Sequence, residues 1–195
     1  MRKIRIAVFA SGRGSNYEAI YEAIQAQRLD AEVVGIICDR KAAPVIETAA
    51  NHGVPCLQVI PSEYPSKTAY EHEILTFLQE KRVEFIVLAG YMRLIGPTLL
   101  QAYPQRIVNI HPSLLPYFKG KDAIDQAIAA QAKITGVTVH YVDEGMDTGE
   151  IIAQEGLLLN PVWERETIEH YIHRIEHQLY PETLQKIFRK LGKNE

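Results

Sequence analysis

The chain has 195 residues, 47% hydrophobic and 23% charged, which is enough for one domain with a sizeable core. Its formal net charge of −3 provides no global basic field of the kind that drives nucleic-acid binding. No stretch approaches the roughly 20 apolar residues of a membrane span. Taken in order, residues 4–10 read as a strand, 11–15 as a glycine-containing turn and 16–28 as an amphipathic helix. The apolar run at 6–10 is shorter than the roughly 7–15 residues of a secretory leader, so a first strand explains it better. A strand over 32–38, a helix over 42–52 stopped at Gly53 and a short strand over 55–60 follow. A helix over 67–81 precedes the almost wholly apolar strand at 85–89, as expected where both faces are covered. Gly96-Pro97 opens a short helix through Gln101, 107–110 is the next strand, and Asp122 is placed to cap a helix through Gln131. Strands over 137–142 and 150–159 have no helix between them, and 166–191 reads as a long helix interrupted at Pro181, with frayed residues after Gly192. This alternation implies a Rossmann-like open α/β sheet, mainly parallel, with helices on both faces and an antiparallel extension near the C-terminus. Cys38 and Cys56 sit in apolar runs and form no CxxC, so buried reduced thiols and a cytoplasmic setting are expected.

Chemistry concentrates just past the strands, where ligands sit in open α/β sheets. Residues 107–116 read IVNIHPSLLP: a β-branched run presents Asn109 and His111, then Pro112 ends regular hydrogen bonding. An imidazole at such an edge titrates near physiological pH, although a polar strand cap is the plainer reading. The turn at 11–16, SGRGSN, follows a strand and opens a helix, where N–H groups and the helix dipole favour an anion. It lacks the third glycine of a dinucleotide fingerprint, where Tyr17 stands, and the Gly-Lys-Ser/Thr of a P-loop. A phosphate monoester on backbone amides with Ser15 and Asn16 fits, and so does a tight turn. Asp39 is either a ribose-binding acid or a solvated strand end. Residues 90–95 either wall a pocket for a flat ligand or pack into the core. The acidic stretch 143–149 lacks calcium-loop spacing, so it either orients His111 with a carboxylate or is a plain hairpin. His170, His173 and His177 lie near one helical face, where a polar face is a better reading than a zinc site.

Together these stretches resemble the phosphoribosylglycinamide formyltransferases (glycinamide ribonucleotide transformylases) of purine biosynthesis, over nearly the whole chain. The resemblance rests on SGRGSN, LAGYMRLIG, NIHPSLLP with Gly120-Lys121-Asp122, GVTVHYVDEGMDTGEIIAQ, and the EHxLYP pattern from Glu176 to Pro181. NIHPSLLP with the downstream Asp147-x-Gly149 is shared across folate-dependent formyltransferases, while SGRGSN and the short length point to the glycinamide branch. The resemblance implies a single formyltransferase domain over 1–195, with a nucleotide-substrate phosphate site in the N-terminal half and a folate site and catalytic loop in the C-terminal half. It implies Asn109, His111 and Asp147 as the catalytic group, and Gly14, Ser15, Asn16 and Glu176 as ribonucleotide contacts. Lys67, Met92, Arg93, Leu94, Ile95 and Asn109 become the folate contacts. Relatives often carry Arg at the position of Lys67, which keeps the cation and loses the bidentate fork. His173 stands where Gln occurs in relatives.

The implied reaction moves a formyl group from the co-substrate 10-formyltetrahydrofolate to the glycine amine of the ribonucleotide, without a metal. His111 and Asn109 are expected to stabilise the oxyanion, and Asp147 to hold His111 charged. Small-molecule substrates, no nucleic acid, no membrane and a monomer or homodimer complete the expectation. Methionyl-tRNA formyltransferases normally carry a further C-terminal domain, and formyltetrahydrofolate deformylases an added N-terminal one, so both fit this chain less well. A non-catalytic nucleotide-binding or NAD-binding module is the alternative from another class.

Overall fold

Residues 6–9 and 85–88 carry no polar side chain, so both faces of these strands must be covered. In the computed structural model, which describes residues 2–192, they lie side by side at the centre of one sheet. Its strands are β1 (Ile4–Phe9), β2 (Ala31–Cys38), β3 (Cys56–Gln58), β4 (Phe85–Leu88), β5 (Ile107–His111), β6 (Ile134–Tyr141) and β7 (Ile151–Leu158). They run in the order β3-β2-β1-β4-β5-β6-β7, parallel from β3 to β5 and antiparallel from β5 to β7. The helices are α1 (Ser15–Gln25), α2 (Pro44–Asn51), α3 (Lys67–Glu80), α4 (Pro97–Ala102), α5 (Ala123–Ala129) and α6 (Arg165–Leu191). Tyr17, Ile20, Val45, Ala49, Ile124, Ile172 and Tyr180 cover one face, from α1, α2, α5 and α6. Tyr70, Ile74, Leu78 and Leu99 cover the other, from α3 and α4. Strand order reverses between β1 and β4, which makes their carboxyl ends the switch point where such sheets bind ligands.

The elements depart from the sequence reading at four places. The helix α6 runs unbroken through Pro181, because Leu179, Tyr180, Pro181 and Leu184 are all buried and packing offsets the lost backbone bond. Asp122 stands at the N-cap of α5 in a left-handed conformation, φ 56, and its side chain caps nothing. The strand at 55–60 shrinks to Cys56–Gln58, since β2 ends at Cys38 and the chain turns at Pro61. The strand β6 starts at Ile134, because Gly136, which reads as a breaker, pairs with Gly156 of β7. Both cysteines are free thiols, but only Cys38 is buried; Cys56 is partly exposed. The expected fraying lies outside the described residues.

The phenol of Tyr180 donates to the Leu88 carbonyl (2.7 Å) and approaches that of Val108 (3.2 Å), fastening α6 beneath the ends of β4 and β5. Tyr180→Phe is expected to cost about 1–2 kcal/mol, since buried carbonyls lose a donor. A lowered thermal unfolding midpoint checks it.

Candidate active site

Antiparallel pairing of β5 with β6 sets Asn109 opposite His140 and His111 opposite Thr138. The loop after β5 then folds back over His111, anchored by Thr138. The Thr138 hydroxyl donates to the Ser113 carbonyl (2.7 Å) and accepts from the Leu115 N–H (3.0 Å). At the far side of this loop the Phe118 carbonyl accepts from His111 Nε2 (2.8 Å). A carbonyl only accepts, so Nε2 carries the hydrogen and Nδ1 faces Asp147 Oδ2 at 3.4 Å. Asp147 comes from the turn between β6 and β7, with φ 54, and its Oδ2 accepts from the Gly120 N–H at 2.8 Å. Asn109 Nδ2 donates to His140 Nε2 (3.3 Å), and His140 Nδ1 donates to the Tyr141 carbonyl (2.8 Å). His140 therefore fixes which way the Asn109 amide points and leaves its second N–H for a ligand. It also lies 3.6 Å from Asp147 Oδ1.

His111 is 5% exposed, and burial takes its pKa below the ordinary value despite the opposing Phe118 carbonyl and Asp147 carboxylate. Burial thus works against the charge that Asp147 favours across 3.4 Å, and the shift of His111 is downward. Burial by itself raises Asp147, while the Gly120 N–H, and either imidazole once it gains a second proton, oppose it and take the carboxyl below its ordinary value. With Nε2 donating to the Phe118 carbonyl, the neutral imidazole turns an unprotonated Nδ1 toward a carboxylate. Such a pair accepts a proton and stabilises the resulting imidazolium.

The glycine loop stands at the end of β1. Gly14 has φ 80, and a Cβ there would lie 2.5 Å from Val45 Cγ2, so α2 closes on the loop only over glycine. No side chain caps α1, leaving its first N–H groups to a ligand. Asn16 donates through Nδ2 to Glu176 Oε2 of α6 (3.1 Å), while its enclosed Oδ1 has no hydrogen-bond partner. Glu176 is 6% exposed, and burial pushes its carboxyl up to about 7. Gly14, Ser15, Asn16 and Glu176 are thus gathered from opposite ends of the chain.

The loop 90–96 meets the glycine loop at the switch point. Ser11 N–H donates to the Gly90 carbonyl (3.1 Å), and the Ser11 hydroxyl accepts from the Met92 N–H (2.9 Å). Arg93 Nε donates to Asp39 Oδ2 at 2.9 Å, so Asp39 is a buried partner of Arg93 rather than a solvated strand end. Lys67, Arg93 and Leu94 line a cleft of about 320 Å³ with Pro61, Tyr64, Ser66 and Tyr70. Met92 is 56% exposed, and Ile95 is buried in the core on the α3 side. The cleft combines aromatic and aliphatic walls with two cations, which suits a flat ligand that bears an acid.

Sequence reasoning gave no role to His140, Thr138 and Phe118, and it named Asp39 and Gly120 without their partners Arg93 and Asp147. For the two β6 residues a signal existed: Thr138 and His140 alternate with Val137 and Val139, which marks one polar strand face. Of the three helix histidines, His173 and His177 stack at 6.1 Å while His170 rests on Tyr171. Among the described residues no group of three or more His, Cys, Asp or Glu side chains is arranged to hold a metal ion. Asp143 holds its own turn, accepting from Gly145 N–H (3.0 Å) and the Thr148 hydroxyl (2.6 Å).

Residues 4–184 match the family described as formyl transferase. Over 183 residues the chain is 50% identical to the phosphoribosylglycinamide formyltransferase of Bacillus subtilis (strain 168), covering 94% of each chain. The crystal structure of phosphoribosylglycinamide formyltransferase from Bacillus halodurans superposes with a TM-score of 0.93 at 54% identity, covering 96% of each chain. That of glycinamide ribonucleotide transformylase 1 from Geobacillus kaustophilus gives the same TM-score and identity, over 95% of this chain and 99% of its own. A family match across residues 4–184, with relatives of 50% identity and solved structures of the same fold, makes this chain a member of the formyl transferase family.

Proposed function

We propose that the chain transfers a formyl group from 10-formyltetrahydrofolate to the glycine amine of 5'-phosphoribosylglycinamide, using Asn109, His111 and Asp147. The observation that supports the reading is the convergence of the Asn109 amide, the His111 imidazole and the Asp147 carboxylate at the end of β5 and the turn between β6 and β7. The folate supplies a formyl carbon, bonded to N10, that is open to attack by an amine. An α-amino type amine has a pKa near ~8, so a useful fraction is already neutral. As the amine nitrogen bonds to the formyl carbon, the Asn109 amide meets the charge building on the formyl oxygen. Nδ1 of His111 takes the proton the amine sheds and returns it to N10 as the bond from carbon to N10 breaks. Asp147 stabilises the imidazolium between those two events. Proton carriers of this kind contribute about 10²–10⁴-fold. Alignment of two bound substrates contributes roughly 7–11 kcal/mol, so the two binding regions matter as much as the trio.

In this reading Gly14, Ser15 and Asn16 hold the ribonucleotide phosphate at the start of α1, and Glu176 with the unpartnered Asn16 Oδ1 takes sugar hydroxyls. Lys67, Met92, Arg93, Leu94 and Ile95 form the folate side, with Ile95 acting through packing. One formyltransferase domain spanning 1–195 is part of the reading. So are a cytoplasmic setting, small-molecule substrates without nucleic acid, and a monomer or homodimer. Among the described residues no helix is long and apolar enough to cross a membrane. Ser15→Ala is expected to raise KM for the ribonucleotide about fivefold, the scale of one hydrogen bond, and to spare KM for the folate. Equal weakening of both in steady-state kinetics would contradict the phosphate assignment. The reading as a whole is tested by tetrahydrofolate release that requires the ribonucleotide; release without it, yielding formate, would identify a hydrolase.

A further inference from the structure

We propose that Asp39 is a positioning residue for the formyl donor: it holds the Arg93 guanidinium at the cleft, so the cation is aimed before the donor arrives. The inference rests on reading that cleft as the donor's site. Asp39 follows β2 and Arg93 follows β4, and β1 lies between those strands. Their bond therefore crosses the carboxyl end of β1, directly over the switch point. The Asp39 side chain is 1% exposed and that of Arg93 50%, so the acid sits inside and the cation at the surface. The bond uses Nε of Arg93, at 2.9 Å, and leaves the terminal nitrogens of the fork for a carboxylate on the ligand.

This pair makes little sense as a stabilising device. A buried carboxylate carries a desolvation penalty that one ion pair seldom repays, and Asp39 Oδ1 is enclosed without a hydrogen-bond partner. The loop is already closed without it. Its start is held by the Ser11 hydroxyl on Met92 N–H, and its end by Glu71 Oε1 accepting from Gly96 N–H at 2.6 Å. What Asp39 adds is direction at the one loop side chain that carries a charge. Lys67 differs: its Nζ stands 4.0 Å from Glu71, outside hydrogen-bond range, so the cleft has one fixed cation and one loosely held.

Steady-state kinetics on Asp39→Ala, Asp39→Asn, Arg93→Ala and the Asp39→Ala/Arg93→Ala double variant test this. Asp39→Ala should raise KM for 10-formyltetrahydrofolate by about tenfold, the scale of ordering a long side chain on binding. Its kcat and its KM for the ribonucleotide should hold within about twofold, since other residues carry those roles. Asp39→Asn retains an acceptor for Nε–H and should recover most of the loss. In the Arg93→Ala background Asp39→Ala should change the donor KM little, because the residue it acts through is gone. A fall in kcat with both KM values rising together, undiminished in the Asn variant, would show a general structural role and overturn the proposal. So would an unreduced effect of Asp39→Ala without Arg93. A wild-type chain lacking ribonucleotide-dependent transfer would instead overturn the functional reading, and with it the donor as the ligand Arg93 awaits.

Discussion

Replacing Asp147 with asparagine is expected to lower kcat by about 10²–10³-fold, within the range of a positioned acid–base group, while KM for the folate holds within about threefold. The isosteric amide still offers an oxygen to the Gly120 N–H, which Asp147 Oδ2 now accepts at 2.8 Å, so the turn with φ 54 survives. What is lost is the negative charge 3.4 Å from His111 Nδ1. Burial already disfavours the charged ring, and without Asp147 nothing offsets that burial except the Phe118 carbonyl. The imidazolium formed in mid-reaction then becomes the costly species. The same reasoning gives the pH dependence. A neutral His111 is the active form, and burial moves its pKa below the usual histidine value, so activity persists below that value and falls at lower pH as the ring protonates. Steady-state kinetics with a thermal-melt control checks the substitution. Unchanged kcat in well-folded protein would remove Asp147 from the mechanism.

Glu176→Gln is expected to remove most of a pH-dependent penalty on stability. Burial, opposed by the Asn16 bond, raises this carboxyl from 4.5 to about 7 in the folded state, with Glu169 adding to the rise. A raised folded-state pKa gives stability that is fully present below 4.5 and is lost as pH rises through about 7. Above pH 8 the folded protein carries an ionised, 6% exposed carboxylate at a cost of about 3 kcal/mol. Glutamine keeps an acceptor for Asn16 Nδ2 without that charge. Urea denaturation should find the two proteins similar near pH 5 and the variant more stable at pH 8. Parallel stability profiles would show that Glu176 is ionised at little cost. The same substitution should weaken the ribonucleotide, because sugar hydroxyls donate more strongly to a carboxylate than to an amide. Stability would then be gained where binding is lost, as is common at functional sites.

Much of this was legible in the sequence, for identifiable reasons. The apolar run ending at Leu88 announced two-face burial, the alternation of strands with helices announced a parallel core, and the helix-free step from Tyr141 to Ile151 announced the antiparallel end. Asn109 and His111 were visible because a proline follows them at a strand end. The companions of those residues were not visible, because register between distant strands decides them. His140 meets Asn109 only through β5–β6 pairing, and Asp39 meets Arg93 only across β1. Pro181 was misjudged because local propensity reads as a break where deep packing carries the helix through. Asp122 was misjudged because a residue type suited to capping was taken for a cap, whereas its left-handed backbone comes with no side-chain capping bond. The charge state of His111 lay outside reach for a similar reason: the sequence pairs it with an acid, and only the fold reveals how deeply both are buried.

The most direct test of the account traces the formyl carbon. Donor labelled with carbon-13 at the formyl group is incubated with the ribonucleotide and either wild-type or Asp147→Asn chain, and the labelled products are followed by NMR. The account predicts label on the glycine nitrogen with wild type, at a rate about 10²–10³-fold above that of the variant. Label appearing as free formate, or transfer at equal rates with both proteins, would contradict it.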